Sequence, residues 1–248
     1  MDADDLLELF ARAAVAARDA VEALSAAARR RAGERPGQYH LDLAADAAVL
    51  EVLRSADAAI VSEESGRSGP EDAPVTIVVD PVDGSTNCSR HLPYWAISLC
   101  TLDSDGPWCG LVRNQVTGTT TTAIRGRGAW REGEPLIPSP TRRVGDAMVG
   151  LAGIPEHVLP WAQYRTLGSA ALTLCDVAAG DVDGYVTAAR DHAPWDYLGG
   201  LLACTEAGAT VVDADGRPLA VPDPDARRQL LAAGTRELLD ELRAAVAP

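Results

Sequence analysis

Residues 75–87 read VTIVVDPVDGSTN: a run of Val, Thr and Ile that stops on an aspartate, then a turn with a second aspartate three residues on. A β-branched run without polar alternation predicts a strand buried on both faces. Pro81 fixes the local backbone and Gly84 permits a tight turn, so Asp80, Asp83 and the Val82 carbonyl could aim at one point. If a helix begins near Ser85 or Thr86, its free N–H groups face that point and can take a phosphate. Alone, the segment also fits an ordinary acidic turn capping a helix.

On the N-terminal side, Leu6, Leu9, Phe10, Ala13, Ala14, Ala17, Val21 and Leu24 mark one face of a long helix over 3–31. A second helix is predicted from about Leu43, carrying Asp46, Val49, Leu50 and Leu53. A short strand over 58–61 leads into Glu63 and Glu64. Beyond the turn, strands are predicted over 95–102, 110–114 and 119–124. A polar, proline-rich stretch at 132–140 marks the boundary between a first half, 1–140, and a second, 141–248. The second half reads strand 149–152, helix 169–179, strand 185–188, helix 195–206, strand 210–213 and helix 236–246. The whole is mixed α/β.

Composition narrows the chemistry. Of 248 residues 47% are apolar, enough for a sizeable core. The formal charge is −14, and the chain has no lysine, so every basic side chain except histidine is an arginine. Such a surface disfavours nucleic acid, which needs a basic footprint. It would also repel a phosphorylated substrate unless bound cations reverse the local field, so an enzyme of this charge acting on phosphates should carry metal. The five cysteines are odd in number and form no CxxC pair, which makes them small buried hydrophobes rather than a disulfide framework. No apolar run approaches the ~20 residues of a membrane span, and the acidic start lacks the basic region of a signal peptide, so a soluble cytoplasmic protein is expected.

Four acidic residues, Glu63, Asp80, Asp83 and Asp196, stand where strands end or a helix begins, as carboxylates gathered from separate segments do around Mg²⁺. In order, the chain offers SEES (62–65), DPVDGSTN (80–87), GLVRNQ (110–115), RGRGAW (125–130), LGSAAL (167–172), PWDYLGG (194–200) and EAGA (206–209). This series resembles the inositol monophosphatase family across almost the whole chain. The resemblance implies a layered α-β-α-β-α sandwich of the inositol monophosphatase/fructose-1,6-bisphosphatase type, with the active site between the halves. It implies a phosphomonoesterase in which metal-activated water hydrolyses a small phosphorylated metabolite. One Mg²⁺ would be held by Glu63, Asp80 and the Val82 carbonyl and a second by Asp80, Asp83 and Asp196, with a third, weaker ion near Glu63. Glu64 would support the set. Asp46 would pair with Ser85 to activate the water, and Gly84, Ser85 and Thr86 would contact the phosphate. Lithium sensitivity and a homodimer belong to the same implication. The rival is a non-catalytic regulatory or scaffolding protein, against which the four retained carboxylates speak.

The chain departs from the family where substrate is chosen. Members acting on inositol phosphate carry a glutamate seven residues before the Trp-Asp aspartate, and Ala189 stands there. A methyl group cannot bond a hydroxyl. Arg190, Asp191 and His192, beside it, are candidates to recognise a different alcohol, or simply solvated loop residues. Tyr197 and Leu198 replace two small residues, which either narrows the pocket or reshapes a helix contact.

Overall fold

The computed structural model describes residues 1–155 and 157–246. The chain runs α1 (Ala3–Glu22), α2 (Ala26–Arg29), α3 (His40–Leu53), β1 (Ala59–Ser62), β2 (Gly66–Ser68), β3 (Thr76–Asp83) and α4 (Ser85–Ser89). It continues β4 (Ala96–Asp103), β5 (Gly106–Asn114), β6 (Thr120–Ile124), β7 (Gly128–Arg131), β8 (Glu134–Pro135), β9 (Met148–Ala152) and β10 (Gln163–Arg165). Then follow α5 (Ala170–Ala179), β11 (Gly184–Thr187), α6 (Pro194–Ala207), β12 (Thr210–Asp213), β13 (Leu230–Ala233) and α7 (Arg236–Leu242). Two sheets result, ordered β2-β1-β3-β4-β5-β6-β7-β8 and β10-β9-β11-β13-β12.

Strand alternation assigns each sheet its two helical neighbours. Ile77 and Val79 of β3 pack with Leu9, Phe10 and Val49 from α1 and α3, while Val78, between them, packs with Leu174 and Leu198 from α5 and α6. In the second sheet Tyr185 turns to α5 and α6, and Val149 and Val186 turn to Leu238, Leu239 and Leu242 of α7. The layers are therefore α1/α3, sheet, α5/α6, sheet, α7. This is the α-β-α-β-α sandwich expected from the sequence. The central layer fits because α6 is small where it meets the first sheet: a Cβ on Gly199 would lie 2.9 Å from Ser98 Oγ and from Val112 Cγ2. Tyr197 and Leu198 are fully buried, and the Tyr197 hydroxyl donates to the Leu219 carbonyl at 3.0 Å. They reshape a helix contact and do not narrow a pocket. All five cysteines are buried and unpaired.

The first helix is shorter than expected. α1 ends at Glu22, and the Ser25 side chain accepts the Ala28 N–H to start α2 afresh. A local cap outcompeted the apolar periodicity there.

Candidate active site

β1 and β3 run parallel with Ser62 beside Val79, and the Glu63 N–H continues the ladder to the Val79 carbonyl at 3.2 Å. This register brings Glu63 alongside Asp80. Two residues three apart on a regular strand point to opposite faces. Here the pairing with β4 slips between Asp80 and Asp83, around Pro81, which has no N–H to give. The bulge lets both aspartates face one site. Gly84 then turns the chain at φ +94°, where an added Cβ would meet the Gly168 carbonyl at 2.9 Å. Asp83 is fixed from the second half of the chain: Ser169 Oγ (2.5 Å) and the N–H of Ala171 (2.7 Å) and Ala170 (3.3 Å) donate to it at the start of α5. Asp196 sits on the first turn of α6, accepting the Ala193 N–H at 2.6 Å.

Burial raises all four carboxylates, and neighbouring carboxylates add to it at Glu63, Asp80 and Asp196. Burial, then the charges of Asp196 and Glu64, push Glu63 up to about 8. Burial also pushes Asp196 up to about 7, against the nearby His192. Asp80, wholly enclosed, is driven well above the carboxylate range by burial and then by Glu63 and Asp83. Asp83 is raised by burial, with its α5 bonds opposing. Like charges held this close destabilise a fold unless cations join them. The donors are all hard oxygens, the chemistry that Mg²⁺ takes. Among the described residues no three His, Cys, Asp or Glu side chains close around one point as they stand. The set gathers at one end of a cleft and remains open.

Asp46 does not meet Ser85. It lies one helical turn too far along α3 and accepts from Ser62 Oγ at 2.5 Å. Asp42 takes the place assigned to it. Burial pushes the Asp42 carboxyl up to about 6, opposed by the Tyr39 N–H and the Ser85 hydroxyl, and its Oδ1 is buried without a hydrogen-bond partner. Ser85 Oγ itself donates to the Val82 carbonyl at 2.9 Å. Glu64 is braced by the Arg35 guanidinium and the Gln38 amide, two residues the sequence reading did not single out. Arg35 also donates to the Glu63 carbonyl at 3.2 Å. Thr86 is exposed, its hydroxyl 3.3 Å from that of Tyr39.

The likeness of this chain to known proteins extends to sequence as well as shape. The model of the inositol monophosphatase family matches residues 6–247. The chain belongs to the inositol monophosphatase family. Over 194 residues it is 34% identical to the inositol-1-monophosphatase of a Synechocystis species, covering 72% of this chain and 67% of that one. Over 194 residues it is 32% identical to Nus factor SuhB of Pasteurella multocida, covering 71% and 72%. The solved inositol monophosphatase of Anabaena (Nostoc) superposes with a TM-score of 0.80 at 28% identity, over 99% of this chain and 97% of that one. Members of this family are in general Mg²⁺-dependent phosphatases.

Two cavities flank the carboxylates. One of about 330 Å³ is lined by Asp83, Ser169, Thr173, Tyr185, Asp191, His192 and Asp196. The other, of about 420 Å³, is lined by Arg35, Asp42, Glu63, Ser85, Trp195 and Arg227 among others. His192 and Asp191 thus reach the site, with His192 Nδ1 3.1 Å from the Asp191 carboxylate. Arg190 does not. Its guanidinium pairs with Asp215 at 2.9 and 3.0 Å on an exposed surface, because a partner outside the cleft lies closer than the cleft itself. Ala189 is exposed and lines neither cavity. Ser169 and Thr173 were missed as lining residues; the LGSAAL segment that contains Ser169 was the available signal. A larger cavity, about 470 Å³, lies at the far end of α6 against β12 and touches none of the four carboxylates.

Proposed function

We propose that this chain is a Mg²⁺-dependent phosphomonoesterase acting on a small phosphorylated metabolite, with Glu63, Asp80, the Val82 carbonyl, Asp83 and Asp196 as the metal-holding groups. The observation that carries the reading is the gathering of the Glu63, Asp80, Asp83 and Asp196 carboxylates between two cavities, where among the described residues no arginine bonds to a carboxylate oxygen of the four and burial raises each of them. When bound, Mg²⁺ would lower the pKa of the attacking water and neutralise the phosphate and the departing alkoxide.

The protein's own groups do the rest. Ser85 directs its proton to the Val82 carbonyl, which leaves its lone pairs free to accept and orient a water O–H. Asp42, raised toward neutrality and with Oδ1 unclaimed, is the acceptor when the Ser85 hydroxyl turns from the Val82 carbonyl, gives its proton to Asp42 and takes one from the water. Gly84 and Thr86 stand beside Ser85 on the phosphate side. The Ser169, Thr173, Asp191 and His192 wall receives the alcohol. With a methyl group at 189 in place of the carboxylate that family members use to bond inositol hydroxyls, inositol phosphate is not the preferred ester.

A second reading, a regulatory protein that keeps the fold, is favoured by the name Nus factor SuhB, which several bacterial relatives bear. Phosphate release from a panel of sugar, polyol and nucleoside monophosphates, with Mg²⁺ and with or without Li⁺, decides between them. Turnover that needs Mg²⁺ is the expected result. No turnover of any ester would leave the regulatory reading standing.

A further inference from the structure

Two guanidinium groups line the cavity above Glu63, and they differ in what already holds them. Arg35 is committed to the Glu64 carboxylate and to the Glu63 and Glu64 carbonyls. Arg227 has only backbone partners: its Nη1 donates to the Pro224 and Ala226 carbonyls, each at 2.8 Å. Its guanidinium lies 5.5 Å over the centre of the Trp195 ring, and it makes no ion pair among the described residues. Stacking on an indole leaves the in-plane edge of a guanidinium free for a planar or tetrahedral anion. Nε and Nη2 are that edge.

The segment bearing Arg227 is fixed to the site. The N–H groups of His192 and Arg228 donate to each other's carbonyls at 3.2 and 2.8 Å, a two-way bridge two residues before Pro194 opens α6. Arg228 Nε donates to the Pro218 carbonyl at 2.9 Å. Trp195 lines one cavity together with Arg227, and its neighbour Asp196 lines the other, so the Trp195–Asp196 turn of α6 is the ridge between the cavities and Arg227 lies against its Glu63 side. Its positive charge is felt at Asp191 and Asp196, on the alcohol side.

We infer that Arg227 selects phosphate monoesters whose alcohol carries a second anionic group, a carboxylate or another phosphate, and receives that group beside the ridge. The inference rests on the phosphomonoesterase reading. In a chain of net charge −14, most cations near the site are matched: Arg35 by Glu64, His192 by Asp191, Arg190 by Asp215. Among the described residues Arg227 and Arg228 have only backbone partners, and of these two Arg227 is the one that lines a cavity. The phosphate that reacts has its own contacts on the β3 side, around Gly84 to Thr86, so the ridge is available to the remainder of the substrate.

The test is phosphate release in Mg²⁺ from two matched pairs: glycerol 3-phosphate against 3-phosphoglycerate, and fructose 1-phosphate against fructose 1,6-bisphosphate. The wild type is expected to prefer the doubly anionic member of at least one pair. R227Q should lower that preference, as a ratio of kcat/KM values, about tenfold and mainly through KM, with R227K restoring part of it. A shift in the first pair alone identifies a carboxylate, and in the second alone a phosphate. Because Arg227 is exposed, R227Q should melt with the wild type. A ratio that stays within about twofold, or a wild type that prefers the singly charged member of both pairs, overturns the inference. If p-nitrophenyl phosphate is hydrolysed and the ratio does not move, the inference alone fails. If no ester is hydrolysed, the phosphatase reading fails and this one with it.

Discussion

The two walls of the cleft are built on different principles. On the β3 wall each acidic side chain is placed by strand register, and Glu63, Asp80 and Asp83 are held in close quarters with few degrees of freedom. On the wall formed by residues 189–192 and 223–228, side chains sit on connections, and neighbours differ sharply: His192 enters the cleft while Arg190 leaves it. On the proposed function, chemistry that needs several oxygens at one point is set on the rigid wall, and discrimination among alcohols on the adjustable one.

The rigid wall can be broken in two opposite ways. E63Q removes one of the mutually repelling charges and no protein bond to Asp83. It should reduce Mg²⁺-dependent turnover by about a thousandfold or more. The metal-free protein should at the same time melt about 2–4 °C higher at about pH 9, where Glu63 has lost its proton, as relief of about 1 kcal/mol implies for a chain of this size. D83N should lose turnover to a similar degree but melt lower, because an amide nitrogen would face the donors of Ser169, Ala170 and Ala171. Initial rates and thermal melts with EDTA read both. If E63Q lowers the melting temperature of the metal-free protein at that pH, the repulsion argument is wrong.

On the proposed mechanism, Asp42 and Asp46 divide function from stability along one helix face. D42N and S85A should each lower kcat about ten- to a hundredfold at saturating Mg²⁺, with little change in melting temperature. D46A should change kcat by less than about threefold while destabilising the fold by about 1–3 kcal/mol, since it leaves the buried Ser62 hydroxyl without its acceptor. Equal loss of kcat in D42N and D46A would restore Asp46 as a member of the activating pair.

How much of this was legible beforehand follows the same division. The β3 strand, the turn at Gly84 and the four carboxylates were readable because β-branched runs, Pro and Gly act locally. The choice of Asp42 over Asp46 was not, because both lie on one face of α3 and the Tyr39 N–H, bonded to Asp42 at 2.7 Å, sets where that helix begins. Nor were Arg35 and Arg227 visible. Their roles depend on which carboxylates and rings lie across 28 or more residues of chain, and periodicity carries no such information. Ser25 could have been seen as a cap within an alanine-rich run.

Acidity gives a smaller and graded effect. Glu63 at about 8 and Asp196 at about 7 hold their protons in the folded chain long after the unfolded chain, near ~4, has released them. The folded state therefore binds more protons across that interval, so its stability falls as pH rises, and the loss is complete above the folded values. The metal-free protein should melt progressively lower from about pH 5 to pH 8.5, and saturating Mg²⁺ should flatten the slope. A metal-free melting temperature that climbs over that range contradicts the arrangement of the four carboxylates.

The smallest effects test the adjustable wall. Arg190 and Asp215 form an exposed pair, and such pairs contribute about 0–1 kcal/mol, so R190A should shift stability by less than that and change kcat/KM by less than about twofold. H192A removes a side chain that lines the alcohol cavity and contacts the edge of Tyr185, with ring centres 6.5 Å apart. It should raise KM by about tenfold and leave kcat less affected, as loss of one positioning contact does. The two residues are two positions apart in one loop, so any general loosening of the loop would move both variants together. A tenfold effect in H192A beside none in R190A would place recognition in the side chain that faces inward. Comparable losses in both would show that the backbone of residues 189–192, pinned through the His192–Arg228 bridge, sets the alcohol site instead.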